Sequence, residues 1–161
     1  MGCLLFVGNT SAQIRMNFET VGRNHYLYCR ALDLRYELFF KAHDLPFDIL
    51  DDEIESESEH VVAFNESHLL AYGRLHKQEE GKFQISQMVV SPNNQGQGVG
   101  SKILVNIMQR AKDQGANVII LNARTTAIWF YKKHGFKSSG SIYSSETTGV
   151  AHVKMVYEAS T

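Results

Sequence analysis

A glycine-rich turn, Gln95–Gly100 with the sequence QGQGVG, stands between an apolar run that ends at Val90 and a helical pattern that begins at Val99. A turn that leaves a strand and enters a helix points several backbone N–H groups in one direction, beside the positive end of the helix dipole. Glycine suits such a turn because a β-carbon would hold an anion away from the backbone, and because glycine tolerates a positive φ. The turn therefore indicates a phosphate-binding site, with a merely flexible helix start as the alternative.

Two common nucleotide-binding folds fit this turn poorly. A phosphate loop requires glycine immediately before its lysine, whereas Lys102 follows Ser101. A dinucleotide-binding fold places the turn early in the chain and an acidic residue at the end of the next strand. Here three strand-like runs precede the turn, and the following strand pattern ends at Asn122-Ala123-Arg124. A different phosphate-bearing ligand is therefore expected.

The apolar periodicity of the first half predicts the elements that position this turn. Alternation of Ile14, Met16 and Phe18 with polar residues indicates a strand. A helix over about 24–42 is indicated by apolar residues at three- and four-residue steps, which are Leu27, Ala31, Leu34 and Leu38. Apolar runs at 60–64, 69–75 and 83–90, with short polar connections, indicate an antiparallel meander.

The second half continues the pattern around the turn. A helix begins at Val99 and ends near Gly115, and the apolar run 117–121 is typical of a strand covered on both faces. A second helix over 125–134 and two last strands, 136–143 and 152–157, complete the chain. We therefore predict an α/β (α+β) fold with a central mixed, mostly antiparallel sheet of about six to seven strands flanked by helices.

Composition limits the classes of protein. A chain of 161 residues holds one sizeable core, so we predict a single domain over 1–161. The balance of 16 Lys+Arg against 17 Asp+Glu provides no field for nucleic acid. The sequence has no basic leader and no long apolar segment of the kind that would indicate a secreted or membrane protein. Its two cysteines lack the spacing of a disulfide framework or a metal site, which favours a cytoplasmic protein. We expect 1–13 to be poorly ordered or introduced by cloning, with Met16 a candidate natural start.

The surroundings of the turn carry a specific resemblance. The motif Gln95-x-x-Gly98-x-Gly100 follows 88–92 (MVVSP) and precedes 127–136 (AIWFYKKHGF). Together these segments resemble the GNAT superfamily of N-acetyltransferases. Arg35, Gly73-Arg74 and 149–155 (GVAHVKM) resemble, more loosely, a bacterial branch of largely unassigned substrate. The resemblance implies a GNAT-like fold and acetyl-CoA as the acyl donor, without a catalytic metal.

The resemblance also implies how the donor is bound. The pantetheine arm would pair with the backbones of Met88 and Val90 like an added strand, in a slot where the fifth strand splays from the fourth. Asn122 would touch the arm from the other side. The usual asparagine three residues before Ala127 is replaced here by Arg124. The pyrophosphate would be held by the main-chain N–H groups of Gln95, Gly96, Gln97, Gly98, Val99, Gly100 and Ser101.

The resemblance assigns three further roles. Tyr131 matches the tyrosine that donates a proton or hydrogen bond to the leaving sulfur, with core packing as the alternative. The main-chain N–H of Val89, or of a neighbour, would stabilise the oxyanion. Some relatives carry a glutamate base on the fourth strand, but this chain offers none there. His152 is our preferred base because histidine titrates near neutrality, and a water relay is the alternative.

The acceptor is predicted only by class. The acidic segment 51–59 either attracts a cationic amine or is solvated surface, and Arg74 either orients a carboxylate on the substrate or anchors that segment. We predict direct transfer of acetyl from acetyl-CoA to a primary amine of a small molecule or peptide. The alternatives are a CoA-binding regulatory module without turnover and a transferase for a longer acyl donor. A homodimer is left open.

Overall fold

Seven β-strands and three α-helices, besides short 3-10 turns, are described over residues 15–159 of the computed structural model. The predicted terminus 1–13 and Ile14 of the predicted first strand lie outside these residues. The strands are β1 Asn17–Val21, β2 Glu59–Asn65, β3 His68–Glu79, β4 Lys82–Val90, β5 Val118–Arg124, β6 Lys137–Ser144 and β7 Ala151–Glu158. The helices are α1 Tyr26–Phe39, α2 Val99–Asp113 and α3 Ile128–Lys133.

The strands form one seven-stranded sheet in the order β1-β2-β3-β4-β5-β7-β6. The pair β4 and β5 is parallel, and the other neighbours are antiparallel. Because α2 lies between β4 and β5 in the chain, these elements form the predicted strand–turn–helix–strand unit. The prediction of a mixed, mostly antiparallel sheet flanked by helices is confirmed.

Helices cover both faces of the sheet. On the α2 face, Ile103, Leu104 and Ile107 pack with inward residues of the strands, and α3 adds Phe130 and Tyr131. On the α1 face, α1 covers a smaller buried cluster. The members of that cluster are Val21, Leu27, Tyr28, Ala31, Val62, Tyr72 and Val89.

The buried face of α1 differs from the predicted one. Leu27 and Ala31 are buried as expected, but Leu38 is 36% exposed while Arg35 is fully buried. The periodicity counts apolar residues only, and so it cannot register a buried arginine that ion pairs hold in the interior. The buried stripe is therefore rotated around the helix from the predicted one.

The strands β4 and β5 separate along their length. They pair only at 82–84 with 118–120, although β4 continues to Val90. A bulge lies at Gln87, whose φ is +55°, and the register with β3 shifts between Tyr72 and Arg74. One extra residue reverses the alternation of side chains, so Ile85 faces α2 whereas Val89 faces α1. The result is a gap in the sheet between the ends of β4 and β5.

Candidate active site

A cavity of about 610 Å³ passes through the gap between β4 and β5. On the α2 face its lining includes Ile85, Leu121 and Tyr131. On the α1 face it includes Asn122 and Arg124 of β5, which alternate with the inward-facing Leu121 and Ala123, together with His152 of β7. The cavity is thus open to groups from both faces of the sheet.

The glycine turn presents a row of free amides beside this gap. Gly98 caps α2 with φ of +77° and no side-chain hydrogen bond, and Gly96 has φ of +74°. Within residues 15–159, the amides of 96–101 donate to no carbonyl or side chain; the first bond of the helix runs from Lys102 to the Gly98 carbonyl at 3.2 Å. Such a cradle of backbone donors fits a diphosphate.

Gly98 and Gly100 differ in how strongly their surroundings favour glycine. A β-carbon on Gly98 would meet nothing within 4 Å, so its positive φ, and not crowding, favours glycine. A β-carbon on Gly100 would lie 3.4 Å from Val90 Cγ2 and 3.6 Å from Phe130 Cζ. These are ordinary van der Waals distances, so a small side chain would fit at Gly100, where α2 adjoins the end of β4 and α3.

The end of β4 directs main-chain groups into the gap. The Ser91 amide donates to the Leu70 carbonyl at 2.8 Å, and Val89 lies opposite Tyr72. Because backbone groups of antiparallel strands alternate, the Val89 amide also faces β3. The amides of its neighbours Met88 and Val90 face away from β3, toward the gap. Val89 or a neighbour was predicted as the oxyanion donor, and among these residues it is the two neighbours whose amides face the gap.

Tyr131 lies at the α2-face end of the cavity. Its ring contacts Phe130 and Phe136 edge-on, with centroids 5.0 and 5.9 Å away. Burial raises the pKa of the Tyr131 phenol to about 12. The hydroxyl is therefore protonated across the neutral range and acts as a hydrogen-bond donor.

His152 lies across the cavity on β7, directly opposite Arg124 in the strand register. Its Nδ1 is 2.7 Å from the Val150 carbonyl oxygen. A carbonyl oxygen can only accept, so Nδ1 carries a hydrogen. In the neutral ring this leaves the lone pair of Nε2 free to accept a proton. Tyr143 stacks on the ring at 6.0 Å and holds its orientation.

The acidic segment is not simply solvated surface, because Glu55 is fully buried. Its carboxylate accepts from Arg35 at 2.7 and 3.0 Å and from the Tyr28 hydroxyl at 2.8 Å. Arg74 donates to Glu55 and, at 2.8 and 2.9 Å, to Asp52. Of the two roles predicted for Arg74, the structure therefore shows the anchoring of the acidic segment.

This ionic network determines the charge states at the back of the site. Burial would raise the pKa of Glu55, but the hydrogen bonds and charge of Arg35 outweigh it and, with Tyr28 and Arg74, lower that pKa to about 2. Arg35 also donates to the side chain of Gln87 at 3.3 Å. The network is thereby connected to the bulge that opens the gap.

His60 belongs to the same buried network and is committed to structural hydrogen bonds. Its Nε2 donates to the Glu55 carbonyl at 3.0 Å, and its Nδ1 accepts from the Tyr72 hydroxyl at 2.7 Å. Burial lowers the pKa of His60 and raises that of Tyr72. His60 has no free nitrogen for a substrate. The sequence pointed to this network through Arg74, for which anchoring of the acidic segment was one of two predicted roles.

The predicted site residues fall into two groups. Met88, Asn122, Tyr131 and His152 line the cavity together. The turn 95–101, Val89 and Val90 lie outside its lining, and a β-carbon on Gly100 would lie 3.4 Å from Val90 Cγ2, which places the turn beside the end of β4. Cys29, the described cysteine, is exposed and far along the chain from both groups.

The part of the chain described offers neither a cluster of metal ligands nor a membrane-spanning helix. Over 15–159, three or more histidine, cysteine, aspartate or glutamate side chains nowhere cluster as metal ligands would. None of the helices described is both long enough and apolar enough to span a bilayer.

The chain is similar to known acetyltransferases in sequence and in structure. The family described as the acetyltransferase (GNAT) domain matches residues 31–159. An uncharacterized N-acetyltransferase of Bacillus subtilis, YjcF, is 33% identical over 117 residues, which are 73% of this chain and 83% of that protein.

Two solved structures show the same fold. An acyl-CoA N-acyltransferase from Pseudomonas aeruginosa has a TM-score of 0.73 at 22% identity, over 90% of this chain and 99% of that one. A GNAT family acetyltransferase from Elizabethkingia anophelis, with acetyl-CoA bound, has a TM-score of 0.71 at 14% identity, over 89% and 98%.

Proposed function

Since the chain belongs to the GNAT acetyltransferase family, we propose that it transfers the acetyl group of acetyl-CoA to a primary amine of a small molecule or peptide, by direct attack in a ternary complex. The observation that carries this proposal is the cavity through the sheet. A donor reaching in from the α2 face and an acceptor from the α1 face would meet in the gap between β4 and β5.

The donor would be held almost entirely by main-chain groups. The free amides of 96–101 would bind the pyrophosphate of coenzyme A at the positive end of α2. The outward amides and carbonyls at Met88 and Val90 would pair with the pantetheine arm as an added strand. Asn122, on the opposite wall of the gap, would contact the arm from β5.

The acceptor must lose a proton before it can attack. An unperturbed lysine-like amine has a pKa near 10.4, so at pH 7 only about one molecule in 2,500 is neutral, which corresponds to roughly 4.6 kcal/mol. The free Nε2 of His152 would take this proton. The polar side chains that the fourth strand supplies to the cavity are Gln84, Ser86 and Gln87, and none of them is a base at neutral pH.

Two groups would stabilise the charge that moves during transfer. As the amine nitrogen bonds to the acetyl carbon, the carbonyl oxygen gains negative charge, and an outward amide of Met88 or Val90 would bind it. When the carbon–sulfur bond breaks, its electron pair stays on sulfur. Tyr131 would donate a hydrogen bond to that thiolate. Full proton transfer from a phenol with a pKa of about 12 to a thiolate near 8.5 would be uphill by about 5 kcal/mol.

A thiol-release assay tests the function. Wild-type protein is incubated with acetyl-CoA and a panel of primary amines, and the acetylated amine is identified by mass. Amine-dependent release of free coenzyme A supports the proposal. Tight binding of acetyl-CoA with no turnover for any amine would instead support a regulatory module. Faster transfer from a longer acyl-CoA would identify that acyl-CoA, and not acetyl-CoA, as the donor.

The Tyr131→Phe variant tests the mechanism. Loss of one charge-assisted hydrogen bond should lower kcat by about tenfold to a hundredfold while the affinity for acetyl-CoA is unchanged. Tyr143→Phe is the matched control, since Tyr143 lines the same cavity but lies beside the base. Full activity of Tyr131→Phe would remove the hydroxyl from the chemistry.

A further inference from the structure

Arg124 is the last residue of β5 and lines the cavity on its α1 face. Its guanidinium carbon lies 4.7 Å from the ring centroid of Phe39, at the end of α1. A cation–π contact of this kind fixes the planar group against the wall of the cavity and leaves its N–H edge free. The side chain is only half-buried, so this edge is accessible from the cavity.

The guanidinium of Arg124 has no acceptor within residues 15–159: neither a hydrogen bond nor an ion pair reaches it. Arg74 lines the same cavity, but its donors are used by Asp52, Glu55 and Ser86. The two arginines therefore differ in what they can offer a ligand. Arg124 retains a fork of donors that matches a carboxylate.

The other ionisable side chains around the cavity do not cancel this charge. The acidic ones are Asp52, which is paired with Arg74, and Glu146, which is exposed in the turn between β6 and β7. The remaining ionisable side chains are Tyr131 and Tyr143, whose pKa values are raised by burial, and His152, which lies opposite Arg124 on the adjacent strand. Residues directly opposite in an antiparallel pair have α-carbons about 5 Å apart. A free cation and a base are thus held side by side.

We propose that Arg124 binds a carboxylate of the acceptor, and that the acceptor is a small amino acid whose amine lies a few bonds from that carboxylate. This inference rests on the proposed function and deepens it. The carboxylate would lie against the guanidinium edge beside Phe39, and the amine would then reach His152 Nε2 and the acetyl carbon in the gap. A simple alkylamine would leave the guanidinium without a partner.

The test compares amino acids with their decarboxylated amines as acceptors. For the best substrate pair, wild-type protein should show a kcat/KM about tenfold to a hundredfold higher for the amino acid than for its decarboxylated amine. This is the gain expected from one hydrogen bond between charged groups. Arg124→Met, which keeps an apolar stem against Phe39, should lose that preference and keep its activity toward the plain amine. Arg124→Lys should restore part of it. Lys154→Met removes an exposed cation of β7 outside the cavity lining and serves as the control.

A binding measurement separates this inference from the proposed function. With coenzyme A present, N-acetylglycine should bind wild-type protein more tightly than N-methylacetamide, and Arg124→Met should abolish the difference in calorimetry. Turnover without any preference for the carboxylate would overturn the inference alone. Weaker acetyl-CoA binding by Arg124→Met would also overturn it, because the guanidinium would then serve the donor. Failure of every amine and every acyl donor to react would overturn the proposed function.

Discussion

The two walls of the cavity each present an arginine, and the two arginines are held differently. On the β3 wall, Arg74 is 3% exposed and bonded to the carboxylates of Asp52 and Glu55. On the β5 wall, Arg124 rests on the Phe39 ring without a carboxylate within reach among the residues described. A charge whose donors are satisfied by the protein stabilises the fold, whereas a charge held in place without a partner is available to a ligand.

The same distinction applies to the backbone. The Ser91 amide is paired with the Leu70 carbonyl, whereas the amides of 96–101 find no acceptor among the residues described. Groups without a partner in the protein are where ligands are expected. The buried network of α1, β3 and the acidic segment instead satisfies its own charges, and it contacts the bulge through the hydrogen bond from Arg35 to Gln87.

The largest expected effect on stability is at the β3 wall, where the buried arginines pair with Glu55. Glu55→Gln would leave Arg35 and Arg74 buried without their shared carboxylate, and it should lower the free energy of unfolding by about 3 to 5 kcal/mol. Urea denaturation measures this. The control is Glu57→Gln, which changes an exposed carboxylate in the same segment and should alter stability by less than about 0.5 kcal/mol. Equal losses would mean that the network adds nothing to the fold.

Exchanging each arginine for methionine tests the comparison directly. Arg74→Met leaves Arg35 to pair with Glu55 and should lower the free energy of unfolding by about 2 to 3 kcal/mol. Arg124→Met removes no bond within the described protein and should change it by less than about 1 kcal/mol. If denaturation showed similar losses of unfolding free energy for the two variants, the distinction between a paired Arg74 and an unpaired Arg124 would be contradicted.

Low pH should reduce the stability that the ion pairs of Glu55 contribute. The folded pKa of Glu55 is depressed to about 2, so its stabilisation is present above the ordinary pKa of a glutamate, near 4.3, and is lost as the pH falls from there toward 2. Between about pH 6 and pH 3 the advantage of wild type over Glu55→Gln should shrink by about 2 kcal/mol. Urea denaturation at several pH values gives this difference, and a constant difference would refute the depressed pKa.

A smaller effect on stability than at Glu55 or Arg74 is expected at the two ends of α2. Gly98 and Gly115 flank the two ends of α2 with φ of +77° and +87°, and a β-carbon would meet nothing within 4 Å at either. Each change to alanine should therefore lower the free energy of unfolding by about 1 kcal/mol. Only Gly98→Ala should weaken acetyl-CoA binding in calorimetry, by about tenfold. Equal affinities of the two variants would remove the turn from donor binding.

The sequence predicted the elements that carry the fold because their patterns are local. The helix from Val99 and the strands of the meander follow from apolar periodicity and short polar connections. The predicted site residues Met88, Asn122, Tyr131 and His152 line one cavity, and their roles remain predictions.

The missed features depend on contacts between residues distant in the chain. Glu55 is buried by Arg35 and Arg74, which come from α1 and β3, so a segment that is acidic in sequence is partly interior. The orientation of the Val89 amide depends on its register with Tyr72 and on the bulge at Gln87. Neither can be read from the type of a single residue.

A crystal structure of the protein with coenzyme A bound tests the central claim, that donor and acceptor meet in the gap between β4 and β5. The pyrophosphate should lie within hydrogen-bond distance of the amides of 98–101, and the sulfur should lie between Met88 and Asn122, near the Tyr131 hydroxyl. Coenzyme A bound elsewhere, with the gap between β4 and β5 empty, would contradict the account.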